Sequence, residues 1–434
     1  MGDKNKKVAF CTLGCKVNQY ETNAMIESFI NSNYEIVNFE DKADIYVINT
    51  CTVTNMSDKK SRQMIRKAKQ LNPKSVVVAV GCYAQVSKEK LEEIEEVDLI
   101  LGNNEKKDIV KYVEEFEKEK LVHLEDIMHQ KEFIDFGPTS YMEKTRAVVK
   151  VQDGCDRFCS YCIIPYARGR VRSRKLQSIV EEIKFLAKTG VKEVILTGIH
   201  IASYGKDFKE DINLIDLLEE INKIDEIERI RLGSLEPTII NEEFLERLSK
   251  LDKICHHFHL SLQSGCNDTL KRMNRRYTTN EFEKVVSLLR KTYKDAILTT
   301  DIIVGFPGET EEEFKSTYEF LRKIKFYKMH VFKYSRRKGT KADLMENQIP
   351  TNIQDERSKR LLELSDKNQE EYNIKYIGQT VEVLFEEQDG EYLKGHTGNY
   401  LLVKVKSNNI AGVHNKIINV KIEYSFEEEL IGAL

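Results

Sequence analysis

Cys155, Cys159 and Cys162 stand in the run Cys-Asp-Arg-Phe-Cys-Ser-Tyr-Cys, separated by three residues and then by two. That spacing brings three thiolates to one metal centre with no fourth ligand close by. A structural zinc site closes its tetrahedron with four ligands, usually as two CxxC-type pairs. A bacterial ferredoxin run continues to a further cysteine followed by proline, whereas Ile163, Ile164 and Pro165 come next here. One coordination position is left open, and a [4Fe–4S] cluster with an uncoordinated iron can bind a substrate or cofactor directly.

Cys15, Cys51 and Cys82 lie far apart in the chain, yet each follows an apolar run that reads as a strand. The carboxyl ends of strands in a parallel sheet share one edge, where ligands bind. Three loops at that edge can gather three thiolates, each beside turn residues: Gly14-Cys15, Asn49-Thr50-Cys51-Thr52 and Gly81-Cys82. The alternative is three separately buried cysteines, which belong within strands or on apolar helix faces rather than in polar loops. Cys11 falls inside the first strand, and Cys255 and Cys266 flank a later one; these read as structural. In Cys255-His256-His257-Phe258-His259, adjacent histidines on a strand point to opposite faces. They read as barrel-lining residues rather than a zinc site.

The elements that must position these residues fall into three regions. Between 7 and 120, Val8–Leu13, Ile45–Asn49, Val76–Val80 and Leu99–Leu101 read as strands. Glu21–Asn31, Ser57–Leu71 and Ser87–Glu95 read as helices, the last two opened by a serine cap. This alternation predicts a doubly wound parallel sheet. A second unit, 141–372, offers strands at Ala147–Val151, Glu193–Thr197, Ile230–Gly233, His257–Leu262, Thr299–Val304 and Met329–Phe332. Helices at Gln177–Lys188, Asn280–Tyr293 and Glu311–Ile324 follow some of them. Six β/α units are too few for a closed eight-stranded barrel and predict an open (β/α)6 partial barrel. After a charged helix, Ile353–Ile374, residues 375–434 read as a small OB-like β-barrel.

Composition sets the class. Of 434 residues, 41% are hydrophobic and 32% charged, as in a soluble globular protein, and no apolar run approaches the roughly 18 residues of a membrane span. The N-terminal lysines precede no signal-peptide core. The expectation is a cytoplasmic protein in which nine cysteines stay reduced. A net charge of −3 does not itself point to nucleic acid.

Taken together, CTLGCKVNQYET, NTCTVTN, GCYAQ and DGCDRFCSYCIIPYARGRVRSR resemble the radical S-adenosylmethionine methylthiotransferases. The likeness runs on through TGIHIASYG, SLEP, HLSLQSG, DIIVGFPGET and HVFKYSRRKGT, and the C-terminal barrel is similar to a TRAM domain. Tyr161 occupies the aromatic position of the family's CxxxCxΦC motif. Such enzymes modify an adenosine beside the tRNA anticodon or an aspartate of a ribosomal protein. The forms here most resemble the branch acting on N6-threonylcarbamoyladenosine.

The resemblance implies two [4Fe–4S] clusters. One, on Cys155, Cys159 and Cys162, would hold S-adenosylmethionine and yield a 5′-deoxyadenosyl radical that abstracts hydrogen from carbon 2 of adenine. The other, on Cys15, Cys51 and Cys82, would present a sulfide for methylation and delivery. Candidate S-adenosylmethionine contacts are Tyr161, Gly198, His200, Glu236, Gln263 and Gly305. A reductant, a sulfur donor and the tRNA anticodon stem-loop are the implied partners.

For RNA, Arg168, Arg170, Arg172 and Arg174 alternate, so an extended segment would present them as one phosphate clamp. Lys59, Lys60, Arg62, Arg66, Lys67 and Lys69 offer a second basic surface on a helix. From Tyr376 onward there are five Lys and no Arg against nine acidic residues. The barrel's RNA edge is thereby reduced to Lys394, His396, Lys404 and Lys406. Lys333 stands where the family usually has proline. Rival readings are activity on isopentenyladenosine in tRNA or on the ribosomal-protein aspartate, and a non-catalytic iron–sulfur RNA-binding protein.

Overall fold

In the computed structural model, which describes residues 6–117, 119–139, 145–407 and 412–434, the first unit is a six-stranded, all-parallel sheet. Its strands are β1 (Lys7–Thr12), β2 (Glu35–Val37), β3 (Ile45–Thr50), β4 (Val76–Gly81), β5 (Leu99–Leu101) and β6 (Leu121–His123), in the order β2-β1-β3-β4-β5-β6. β3 is buried at every position, as a strand covered by helices on both faces must be. Two apolar clusters, one centred on Tyr46, Ile48 and Ala79 and the other on Val47, Val78 and Phe29, pack the opposite faces.

The short strands β2 and β6 were not among the expected elements, because three residues at a sheet edge carry too little periodicity. The helix expected over Ser57–Leu71 begins two residues earlier, at Asn55, since Thr54 rather than a serine caps it by accepting from the Ser57 amide. The helix expected over Ser87–Glu95 is shorter, Lys88–Glu92, and a further short helix, Cys82–Val86, precedes it.

The second unit holds β7 (Ala147–Asp153), β8 (Arg172–Ser173), β9 (Glu193–Gly198), β10 (Arg229–Leu232), β11 (His257–Gln263), β12 (Ile297–Val304) and β13 (Lys328–Lys333). The expected boundary at residue 141 lies outside the described residues. Parallel pairs join β7 to β9, β9 to β10, β11 to β12 and β12 to β13. Isolated parallel bridges at Ile230–Ile254 and Leu235–Leu260 connect the two groups. The result is the open six-stranded partial barrel, with β8 added antiparallel beside β7. Amphipathic helices cover it, and Thr278 and Thr310 open two of them with capping boxes to Glu281 and Glu313, each worth about 1 kcal/mol.

The helix Thr351–Ile374 leads to a closed barrel of β14 (Thr380–Asp389), β15 (Tyr392–Thr397), β16 (Leu402–Lys406), β17 (Ile417–Phe426) and β18 (Glu429–Ala433). Its apolar core includes Ile297 and Tyr327, so it seats on the amino ends of β12 and β13. Arg229 and Arg231 donate to the carbonyls of His396, Glu382, Gly398 and Thr397 and fix that seat.

Candidate active site

The strand order reverses between β1 and β3, and the loops beyond these two carry Cys15 and Cys51. This is the topological switch point, where the crevice of a doubly wound sheet opens. Cys82 begins the helix after β4, next in the sheet. Two glycines permit the approach. At Gly14 (φ +104°) a Cβ would lie 2.9 Å from both Cβ and Sγ of Cys51. At Gly81 (φ +98°) it would lie 2.8 Å from the Thr50 carbonyl oxygen. Asn18 donates to the carbonyls of Leu13 (2.7 Å) and Thr50 (3.1 Å), tying the Cys15 and Cys51 loops together. Burial, then the neighbouring thiols of Cys82 and Cys15, push the Cys51 thiol up to about 11.

The second triad follows β7. At Gly154 (φ +69°) a Cβ would fall 1.8 Å from the Arg170 carbonyl oxygen, so the loop can close only on glycine. The Cys155 amide then donates to Gly169 (3.0 Å), the Ser160 amide to Met273 (3.0 Å) and the Ala342 amide to Ser160 (2.8 Å). Phe158 is held at φ +46°, its carbonyl accepting from Asn274 at 3.0 Å. Arg275 approaches Cys159 Sγ at 3.4 Å, and the Arg157 amide approaches Cys155 Sγ at 3.4 Å. Burial and then the Cys159 thiol push Cys162 up to about 12, while burial holds Cys155 at about 11.

Cys15 and Cys51 in the first triad and Cys155 and Cys162 in the second are thus thiols that burial keeps from ionising until positive metal lies beside them, which fits iron–sulfur ligation. Among the described residues, the three metal-ligating atoms that come within 4.8 Å of one another belong to Cys266, Asp268 and Glu313. The cysteine triads are wider than that, as a multi-iron cluster requires and a single ion does not.

Between the triads lies a buried ionic network. Arg168, fully buried, donates through Nε to Cys82 Sγ (3.2 Å) and through Nη2 to Asn18 (2.6 Å), and it pairs with Glu21 and Asp153. Lys106 and Lys150 pair with Glu21, and Lys150 and Arg172 pair with Asp153. Four cations therefore meet two carboxylates. Uncompensated buried charge is costly, and an anionic group held beside Cys82 would supply the balance.

These contacts correct the expected phosphate clamp. Arg168, Arg172 and Arg174 are buried to 1% exposure or less. The segment is not one extended face, because Arg168 ends the helix Ile164–Arg168 and Gly169 (φ +73°) turns the chain. Arg174 pairs with Glu182 and Asp135. Arg170 alone of the four is exposed; its guanidinium pairs with Asp156 and covers the Phe158 ring. In the terminal barrel, Lys394 pairs with Asp389 (2.7 Å), Lys404 with Glu429 (2.7 Å) and Lys406 with Glu391 (2.6 Å), so its acids answer the lysines expected to form an RNA edge.

A cavity of ≈ 190 Å³ lies where the two loops meet. Val53 and Thr54 of the Cys51 loop, Tyr161 to Ile164 of the second triad and Gln263, Asp301 and Phe332 of the barrel wall it. Gln263 adopts φ +71° at the end of β11. Gly198 packs against Gln152, whose Oε1 accepts from the His200 amide at 2.7 Å. Glu236 is 3% exposed and bound to Arg157 and His200. Burial would raise its pKa, but the His200 hydrogen bond and the charges of His200, Arg275 and Arg157 hold it at about 2. Its carboxylate orients His200 and the cluster loop rather than standing free for a ligand. At Gly305 the space a Cβ would take is filled by Gln354 at 2.4 Å, so this glycine admits a helix side chain, contrary to the expected approach of adenine.

Several members of the site had no motif to announce them. Arg337 reaches Thr52 (2.6 Å), Asn55 (2.7 Å) and Asp58 (2.8 Å), binding the loop after β13 to the Cys51 loop. Glu21 and Asn18 occupy buried positions of the helix Lys16–Asn31. Polar residues on the apolar side of that helix were the available signal.

Two family models match the chain: the Radical SAM superfamily over residues 149–321, and Uncharacterized protein family UPF0004 over residues 7–102. Threonylcarbamoyladenosine tRNA methylthiotransferase MtaB of Bacillus subtilis (strain 168) is 42% identical over 96% of this chain and 93% of that protein. The protein of the same name from Aquifex aeolicus (strain VF5) is 46% identical over 92% and 96%. A tRNA-2-methylthio-N(6)-dimethylallyladenosine synthase of Clostridium tetani (strain Massachusetts / E88) is 34% identical over 99% and 97%. In fold, the chain is similar to the radical S-adenosylmethionine methyltransferase TsrM of Kitasatospora setae (TM-score 0.55, 15% identity, 77% of this chain and 76% of that one). With two relatives above 40% identity along nearly their whole length, the chain belongs to the family of radical S-adenosylmethionine tRNA methylthiotransferases.

Proposed function

We propose that the protein places a methylthio group on carbon 2 of N6-threonylcarbamoyladenosine beside the tRNA anticodon, in the cytoplasm. The observation that carries this reading is the cavity walled by both triad-bearing loops, which lets one nucleoside meet two metal centres. Cys155, Cys159 and Cys162 would hold one [4Fe–4S] cluster, and Cys15, Cys51 and Cys82 the other. When bound, these clusters and S-adenosylmethionine supply the radical and sulfur chemistry that side chains lack.

The chain's own groups position and shield. Arg275 and the Arg157 amide donate toward the thiolates of one triad, and Arg168 toward Cys82 of the other. Gly198, His200 and Gln263 are our S-adenosylmethionine contacts, at the carboxyl ends of β9 and β11. Val53, Ile303 and Phe332 give the cavity apolar walls that limit water beside a reactive intermediate. A reductant and a sulfur source complete the reaction.

Anaerobic reconstitution with S-adenosylmethionine, reductant, sulfide and tRNA bearing threonylcarbamoyladenosine, followed by mass spectrometry of the nucleosides, tests this. The 2-methylthio nucleoside is the expected product. Its absence, with S-adenosylmethionine still cleaved, would assign the chain another substrate.

A further inference from the structure

Beneath the cavity, inside the partial barrel, is a chamber of ≈ 300 Å³ closed below by the terminal barrel. Lys16, His257, His259, His330, His396 and Tyr400 are among its walls. It neighbours the upper cavity: Asp301 lines the upper space, and its carboxylate lies 3.2 Å from Nε2 of His259 in the lower one. His330 and Phe332, two apart on β13, share a face and line one space each. Lys16, the residue after Cys15, is the first unit's contribution to its walls.

Two groups of the walls, His257 and Lys16, lack a full set of partners. His257 is 7% exposed, and its Nδ1 has no partner. Its ring stacks on Tyr400 at 4.7 Å, and His396 stacks on the same Tyr400, also at 4.7 Å. Tyr400 is held at φ +77°, so the stack is built against backbone preference. The acids nearby are engaged: Glu428 with Lys328, Asp301 with His259, Glu193 with Arg231, and Glu386 with His396. Among the described residues, Lys16 has no ion-pair partner. A partly enclosed space with an unpaired lysine ammonium and an unanswered imidazole nitrogen suits an anion.

We infer that this chamber receives the carboxylate-bearing threonylcarbamoyl arm of the substrate, and that Lys16, His257 and His330 set the preference for it over an apolar N6 group. The inference rests on the proposed function and adds the means of recognition. A dimethylallyl arm would leave Lys16 and the His257 Nδ1 without an acceptor, and a site built to bond a polar group rejects an analogue lacking it. The lysine and histidines act by binding the arm; the reacting carbon lies in the cavity above.

The test measures binding of the cluster-loaded protein to anticodon stem-loops that differ only at N6: unmodified, threonylcarbamoyl, its carboxamide, and dimethylallyl. The wild type should prefer the carboxylate form by about tenfold or more over the carboxamide and the unmodified loop. Lys16→Gln and, separately, His330→Leu should lose most of that preference while binding the unmodified loop as before, with iron content unchanged. Equal binding of carboxylate and carboxamide, or a variant that weakens all loops alike, would overturn the assignment. Turnover separates the two levels. Product from the wild type without any chamber-dependent preference overturns this inference alone, whereas no product from the threonylcarbamoyl loop overturns the proposed substrate and the chamber's role with it.

Discussion

The guanidinium of Arg168 donates through Nε to Cys82 Sγ across 3.2 Å, and its Nη1 stands 3.3 Å from the carboxylate of Asp153, two residues before Cys155. One side chain therefore touches a cysteine of the first triad and the loop that launches the second. The two triads are not independent modules set side by side; a buried ionic network ties them together.

Replacing Arg168 by methionine would leave Glu21 and Asp153 with a smaller share of their positive partners. Breaking a buried charge pair in this way costs about 3–5 kcal/mol. We expect a lower Tm and loss of roughly half the bound iron. Arg168→Lys keeps the charge without the fork, so its Tm should recover more than its iron content. Thermal melts with iron analysis check both.

The two triads should separate by substitution. Cys155→Ala is expected to abolish reductive cleavage of S-adenosylmethionine. Cys15→Ala should spare cleavage and abolish methylthiolation. Measuring 5′-deoxyadenosine and the modified nucleoside in the same reaction checks the division, and normal product from Cys15→Ala would remove the first triad from the chemistry.

Gly14→Ala should act at one centre. Its Cβ would meet Cys51 Sγ at 2.9 Å with the backbone held at φ +104°, so the Cys15–Cys51 approach must open. The expected result is loss of the first cluster, seen as about half the iron, with cleavage of S-adenosylmethionine retained.

Glu236 gives a pH signature. Its folded pKa, about 2, lies below the ordinary 4.5. A depressed pKa contributes stability that is complete above the unfolded value and is lost as pH falls through the folded one. The contribution should fade between about pH 5 and 2, and denaturant melts of Glu236→Gln should lack that part of the acid slope.

How far the sequence could be read follows from which interactions are local. The parallel sheet, the partial barrel and the helices over 311–324 and 351–374 follow from periodicity and capping, which neighbours in sequence decide. The placement of both sets of cysteines in loops beyond strands was legible because turn residues and thiols stand together there. The arginine stripe misled, since alternation describes a strand only where the backbone is extended, and Gly169 turns it. Arg168 and Arg337 found partners 147 and 279 residues away, in Glu21 and Asp58, and no local pattern encodes such pairs. Gly305 had the conformation expected of it, but Gln354 from a distant helix took the space.

The most direct test offers the reconstituted enzyme equal amounts of two anticodon stem-loops in one reaction, one bearing threonylcarbamoyladenosine and the other dimethylallyladenosine. The 2-methylthio group is expected on the threonylcarbamoyl nucleoside, with the dimethylallyl loop recovered unchanged. Methylthiolation of the dimethylallyl loop in its place would contradict the proposed substrate.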